Sequence, residues 1–122
     1  TQEPETLGFY ALSMGAVQRS TLPDALKPGQ RPEPCPVLLL ARLAVDQRAQ
    51  GRGIGAALLK DALLRAYKLS NEVGFAALLV HCANDHAREF YLSQSSHFVP
   101  CPGAENHLML PLRALREFID AL

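Results

Sequence analysis

The apolar positions of this chain fall into short blocks whose spacing changes from strand-like to helical and back. Residues 7 to 17 (LGFYALSMGAV) are apolar and partly alternating, which predicts a strand from Leu7 to Val17. Residues 21 to 36 carry Pro23, Pro28, Pro32, Pro34 and Pro36 together with Gly29, so an irregular connection is expected. Val37 to Val45 (VLLLARLAV) is almost continuously apolar, as in a central strand buried on both faces. Arg42 interrupts that run and marks an edge or an end that meets solvent or an anion. From Gly53 to about Ser70 the period becomes helical: Ile54, Leu58, Ala62, Ala66 and Leu69 form a stripe. Leu59, Leu63 and Tyr67 widen it, Lys60, Asp61, Arg65 and Lys68 supply the polar side, and Gly74 is the expected C-cap. Phe75 to His81 (FAALLVH) predicts a second buried strand.

Asn84 before Asp85 suits a helix start, with Ala87, Phe90 and Tyr91 on one face. Ser93 to Ser96 (SQSS) has little packing potential and is expected as loop. His107 to Leu112 predicts a last strand, where Pro111 implies an edge or an ending, and Leu115 to Leu122 a closing helix. The order β, loop, β, α, β, α, β, α gives a mixed α/β sheet.

Candidate chemistry concentrates between the first long apolar run and the first helix, at Gln50-Gly51-Arg52-Gly53-Ile54-Gly55. Glycines at alternate positions strip side chains from a loop and let a ligand approach its N–H groups. The helix start that follows offers unsatisfied N–H donors and a partial positive charge, so the segment reads as an anion site. A P-loop does not fit, because no Gly-Lys-Ser/Thr closes the motif. The dinucleotide fingerprint does not fit either: Leu58 stands at its third glycine, and no acidic residue ends the next strand.

Composition narrows the choice. With 122 residues and 48% hydrophobic content the chain can bury one core, so one domain over residues 1–122 is expected. Twelve basic and twelve acidic side chains cancel, which argues against a strongly electrostatic nucleic-acid or membrane binder. No apolar stretch reaches bilayer length, and the start lacks a signal-peptide pattern. Cys35, Cys82 and Cys101 are odd in number and lack metal-ligand spacing, so reduced thiols in a cytoplasmic protein are expected and no metal site. His81 reads as a core histidine at a strand end; Cys82, Cys101, Met14 and Met109 read as packing.

Gln50, Gly53 and Gly55 match the acetyl-coenzyme A loop of the GNAT superfamily of acetyltransferases: Gln or Arg, two residues, Gly, one residue, Gly or Ala. The likeness extends to Leu40 through Asp46, Leu58 through Ala62, Ala77 through His81, and Ala87-Arg88-Glu89-Phe90-Tyr91. As a set these segments resemble GNAT-type toxins of bacterial toxin–antitoxin pairs. The resemblance implies the GNAT fold, in which two central strands splay apart. Backbone groups of Leu43, Ala44 and Val45 would then hold the pantetheine arm and the thioester carbonyl. Gln50, Gly51, Arg52, Gly53, Ile54 and Gly55, with Arg48, would hold the pyrophosphate, and Asn84, which also suits a helix cap, the cofactor arm. Tyr91 corresponds to the tyrosine beside the leaving sulfur. A phenol of pKa about 10 can donate a hydrogen bond to a thiolate of pKa about 8.5. An acceptor α-amine of pKa about 8 supplies its own neutral fraction, unlike a lysine at about 10.4.

The implied activity is acetyl-coenzyme A-dependent N-acetylation of a primary amine, as in toxins that acetylate aminoacyl-tRNA, with a small DNA-binding antitoxin as partner. Acetylation of a small-molecule or peptide amine stays open, as does a non-catalytic protein that binds coenzyme A or a partner. Two departures stand out. Family members carry a first strand and helices ahead of the strand at Leu7, so an N-terminally incomplete member is expected. Its uncovered apolar face would take a partner or a second copy. His97-Phe98 also replaces the usual Gly-Phe after Tyr91, with two residues inserted.

Overall fold

The computed structural model describes residues 8–27 and 33–121. Leu7, Pro28, Gly29, Pro32 and Leu122, named above, lie outside the described residues. The elements are β1 (Gly8–Val17), β2 (Cys35–Val45), α1 (Ile54–Leu69), β3 (Ala77–His81), α2 (Asp85–Gln94), β4 (Val99–Cys101), β5 (Ala104–Pro111) and α3 (Leu112–Asp120). The strands form one sheet in the order β1-β2-β3-β5-β4. β2 and β3 run parallel; every other neighbouring pair is antiparallel. The expected mixed α/β sheet is present.

The helices cover one face. On that face Leu38, Leu40, Leu78, Val80, Leu108 and Leu110 of the sheet meet Leu59, Ala62, Leu63 and Ala66 of α1 and Leu115 of α3. The α1 positions recur every three to four residues, as the sequence pattern requires. Tyr10 of β1 donates a hydrogen bond to the Asp61 carboxylate, and Arg65 bridges Asp61 at 3.2 Å. These contacts fasten the edge strand to α1. The opposite face carries a smaller cluster in which Leu22, the cap of a first 3-10 turn after β1, and Leu26, on a second, pack with Val37, Leu79 and Met109.

β2 is not buried throughout. Its first half is, but from Ala41 onward its residues are exposed or half-exposed. The β2–β3 pairing explains this, because it stops at Leu40↔Val80 while β2 continues to Val45. The register with β1 shifts at the same place: Leu12 opposes Leu40, Ala11 opposes Arg42, and Ala41 is the extra residue of a bulge. A bulge bends a strand and reverses which side chains face which side beyond it. Leu38 and Leu40 therefore face the helices before the bulge, and Leu43 after it.

Several sequence expectations need correction. α1 ends at Leu69 with Ser70 as its cap, so Gly74 lies in the connection to β3. The Ser70 amide bonds Ala66 and the Ser70 hydroxyl bonds the Tyr67 carbonyl, which closes the helix without a left-handed residue. α2 runs through Ser93 and Gln94, so only the end of SQSS is loop. Pro36 belongs to β2 and opposes Ala16. Pro111 ends β5, as one of its two readings has it, while α3 starts at Leu112 rather than Leu115. The edge on that side is β4, a strand too short to leave a pattern; its Pro100 is exposed, as an edge allows.

Leu78 is fully buried at the centre of the sheet, whereas Met14 is half-exposed on β1. In urea denaturation Leu78→Ala is expected to lose about 3 kcal/mol of stability. Met14→Ala is expected to lose about 0.5 kcal/mol or less.

Candidate active site

Where β2 leaves β3, the helix-covered side of the sheet opens into a cleft of about 590 Å³. Leu43 and Val45 line it from β2, Gly53 and Gly55 from the loop and the start of α1, and Phe90 and Tyr91 from α2. Among the described pairings β2 has no strand partner on this side beyond Leu40, so its edge faces the gap.

The floor of the cleft is built from backbone. Gly51 and Gly53 have φ of 84° and 75°, a conformation that a side chain disfavours. No acidic residue sits in the first turn of α1, and its first helical bond is from the Ala57 amide to the Gly53 carbonyl. The amides of the first turn thus point out of the helix with its positive dipole end behind them. Gln50 donates from Nε2 to the Val45 carbonyl at 3.3 Å, which ties the glycine loop to the open strand. Phe90 packs 3.5 Å from where a Cβ on Gly55 would sit. These features suit the pyrophosphate and pantetheine arm of a coenzyme A ester.

Tyr91 is buried against Phe90 and Phe98. Among the described residues its hydroxyl has no hydrogen-bond partner. Burial, with a smaller contribution from Cys82, raises its pKa to about 12. The phenol therefore remains protonated at neutral pH. Full proton transfer to a thiolate is more uphill than the unperturbed value implies, leaving hydrogen-bond donation as its role.

Four sequence candidates do not line the cleft. Arg48 is held by Asp46 in a two-pronged pair, Nε to Oδ1 at 3.1 Å and Nη2 to Oδ2 at 2.9 Å. That hydrogen-bonded pair lowers the Asp46 pKa to about 2 and raises that of Arg48. Arg52 is exposed on the loop. Ala44 opposes Phe9 in register and faces away from the helices. Asn84 caps α2, its Oδ1 accepting from the Ala87 amide at 2.9 Å. Conversely, His86, Ala87 and Gln94 of α2 line the cleft although the sequence did not mark them as site residues. Their periodicity with Phe90 and Tyr91 on α2 was the available signal. All three cysteines are buried, and among the described residues no three His, Cys, Asp or Glu side chains gather to hold a metal. Among the described residues no helix is long and apolar enough to cross a membrane.

The family model described as acetyltransferase (GNAT) domain matches residues 6–94. A tRNA-acetylating toxin of Mycobacterium tuberculosis is 40% identical over 118 residues, covering 97% of this chain and 69% of the toxin. Among solved structures, AtaT complexed with acetyl-methionyl-tRNAfMet superposes with a TM-score of 0.81 at 31% identity, covering 93% of this chain and 66% of that one. A tyrosine-to-phenylalanine mutant of the AtaT toxin, bound to the C-terminus of the antitoxin AtaR and acetyl-CoA, gives 0.74 at 30% identity, covering 93% and 65%. The chain thus spans about two thirds of the length of these relatives.

Two measurements check the local geometry. Gly53→Ala is expected to cost about 1 kcal/mol in denaturation, from the positive φ alone. Asp46 has a folded pKa below its unfolded value, so the pair with Arg48 favours the fold above about pH 4 and is lost as pH falls through about 2. Carboxyl NMR titration is expected to place the Asp46 midpoint near 2, and Arg48→Ala to return it towards 3.8.

Proposed function

Since the chain belongs to the GNAT acetyltransferase family, we propose that it is one GNAT domain transferring acetyl from acetyl-coenzyme A to the α-amine of aminoacyl-tRNA. It would act as a toxin in the cytoplasm beside a DNA-binding antitoxin. The observation that carries the catalytic reading is the cleft where β2 parts from β3, with a bare loop at one end and Tyr91 in its wall. The 40% identity to a tRNA-acetylating toxin supports the acceptor class.

In this reading the amides of Gly53, Ile54 and Gly55 hold the pyrophosphate, since helix N-termini bind phosphate. Gly51 keeps the approach open. Arg52, exposed and without a partner among the described residues, supplies charge from the rim; Arg48 does so only by leaving Asp46. The exposed edge of β2 at Leu43 to Val45 hydrogen-bonds the pantetheine amides, and its N–H groups stabilise charge developing on the thioester oxygen. Asn84 does not line the cleft, but its cap uses only Oδ1, so its amide nitrogen would supply a donor for the same arm. The amine attacks the carbonyl directly and the Tyr91 hydroxyl donates to the departing sulfur. Arg88 keeps its charge while donating to the Glu105 carbonyl at 3.1 Å, so it joins Arg42 and Arg52 as a source of positive charge for the tRNA backbone.

Incubation with labelled acetyl-coenzyme A and charged tRNA is expected to place label on the aminoacyl group. Label on small amines or peptides alone would refute the acceptor. Tyr91→Phe is expected to lower kcat about 10²-fold, with the dissociation constant for coenzyme A unchanged by calorimetry.

A further inference from the structure

On the helix-covered side a second, smaller hollow of about 250 Å³ lies between α1, the end of α2 and α3. Ala56, Leu59, Lys60 and Leu63 line it from α1, Gln94 from α2 and Phe118 from α3. It is not isolated: Ala56 and Gln94 also line the coenzyme cleft, so the two cavities meet at that pair of residues. The family model matches residues 6–94 and so ends with α2. Phe118 and the helix that carries it lie outside that stretch, and no residue of α3 has a role in the chemistry described above.

The polar side chains of the hollow are Lys60 and Gln94; the others that line it are apolar. Phe118 is half-buried and packs against the main core, so its ring forms a held wall. Gln94 donates from Nε2 to the Ser93 hydroxyl at 3.3 Å, and among the described residues its Oε1 accepts no hydrogen bond. Lys60 is exposed and among the described residues makes no ion pair. It stands one helical turn beyond Ala56, about 6 Å further along α1. The hollow therefore offers a flat apolar slot, one free amide oxygen and one positive charge, all next to the glycine loop.

Resting on the acetyltransferase reading, we infer that this hollow seats the adenosine end of coenzyme A and that Lys60 binds its 3′-phosphate. With the pyrophosphate at Gly53 to Gly55 and the pantetheine running towards Leu43 and Val45, the nucleoside continues the other way, past Ala56 and Gln94. Adenine is flat and aromatic, and it fills the slot between α1 and the Phe118 ring. Its exocyclic amino group donates to Gln94 Oε1. A single ribose joins the pyrophosphate to the 3′-phosphate, so the second phosphate falls about one helical turn from the first, beside the Lys60 ammonium. That contact is charge-assisted and, at an exposed site, partly screened by salt. Lys60 thus selects coenzyme A over carriers that bear the same thioester but lack the 3′-phosphate, and α3 supplies one wall of the nucleoside site.

The test is calorimetry with coenzyme A, with dephospho-coenzyme A, which lacks the 3′-phosphate, and with phosphopantetheine, which lacks the nucleoside. Wild type is expected to bind coenzyme A about tenfold more tightly than dephospho-coenzyme A, a difference that shrinks as salt is raised. Lys60→Gln is expected to abolish that preference while its affinity for dephospho-coenzyme A stays within about twofold of wild type. Phe118→Leu keeps an apolar contact with the core but removes the ring. It is expected to weaken both nucleoside-bearing probes about fivefold and to leave phosphopantetheine unchanged. Equal binding of coenzyme A and dephospho-coenzyme A by wild type, or a preference that survives in Lys60→Gln, overturns the inference and leaves the acetyltransferase reading standing. Phe118→Leu overturns it too if it weakens no probe, or weakens all of them alike, since the ring would then only support the fold. A wild type that binds none of the probes overturns both.

Discussion

The parting of β2 from β3 after Leu40 and Val80 is the constraint on which the rest depends. A parallel strand pair normally satisfies its inner edges along its length. Here the pairing is released at the residue where β1 and β2 slip register by the bulge at Ala41. The bulge turns β2 away from its neighbour and brings Leu43 and Val45 to the helix side. β1 continues to pair with the bent segment down to Gly8↔Val45, so the open strand is held from outside while its inner edge stays available. Tyr10, bound to Asp61, anchors that outer support to α1.

Much of this was legible in the sequence. The strands through Val37 and Ala77, the helix after the glycine loop and the helix start at Asn84 all left periodic or capping signals. The loop announced itself because an anion site needs its glycines. What the sequence could not locate was the bulge: a run such as LLLARLAV shows no alternation whose reversal could be noticed. The exposure from Ala41 onward followed from the bulge, and Arg42, read as meeting solvent, was its one mark in the sequence. Gly74 misled because a glycine near a helix end is a common stop signal, although Ser70 closes the helix with ordinary backbone angles. β4 was too short to be visible.

Candidate residues divided along a physical line. Of those acting through backbone, Leu43, Val45, Gly53 and Gly55 line the cleft because strand and loop geometry alone put them there, while Ala44 faces the other side. Those acting through long charged side chains did not, since an arginine head is placed by whichever partner it finds, and Arg48 found Asp46 two residues away. His81, read in the sequence as a core histidine, is instead exposed at the end of β3, where its ring stacks on that of His107.

The bulge also determines which kinds of evolutionary change this protein can absorb. A cleft whose β2 wall and glycine-loop floor act through main chain is largely indifferent to side-chain drift along β2, provided Leu43 and Val45 stay apolar. It is unforgiving of a single lost codon at Ala41, which would leave Leu43 and Val45 opposite Tyr10 and Gly8 but remove the bend that parts β2 from β3. Insertions and deletions within β2 should therefore be purged far more strongly than substitutions there.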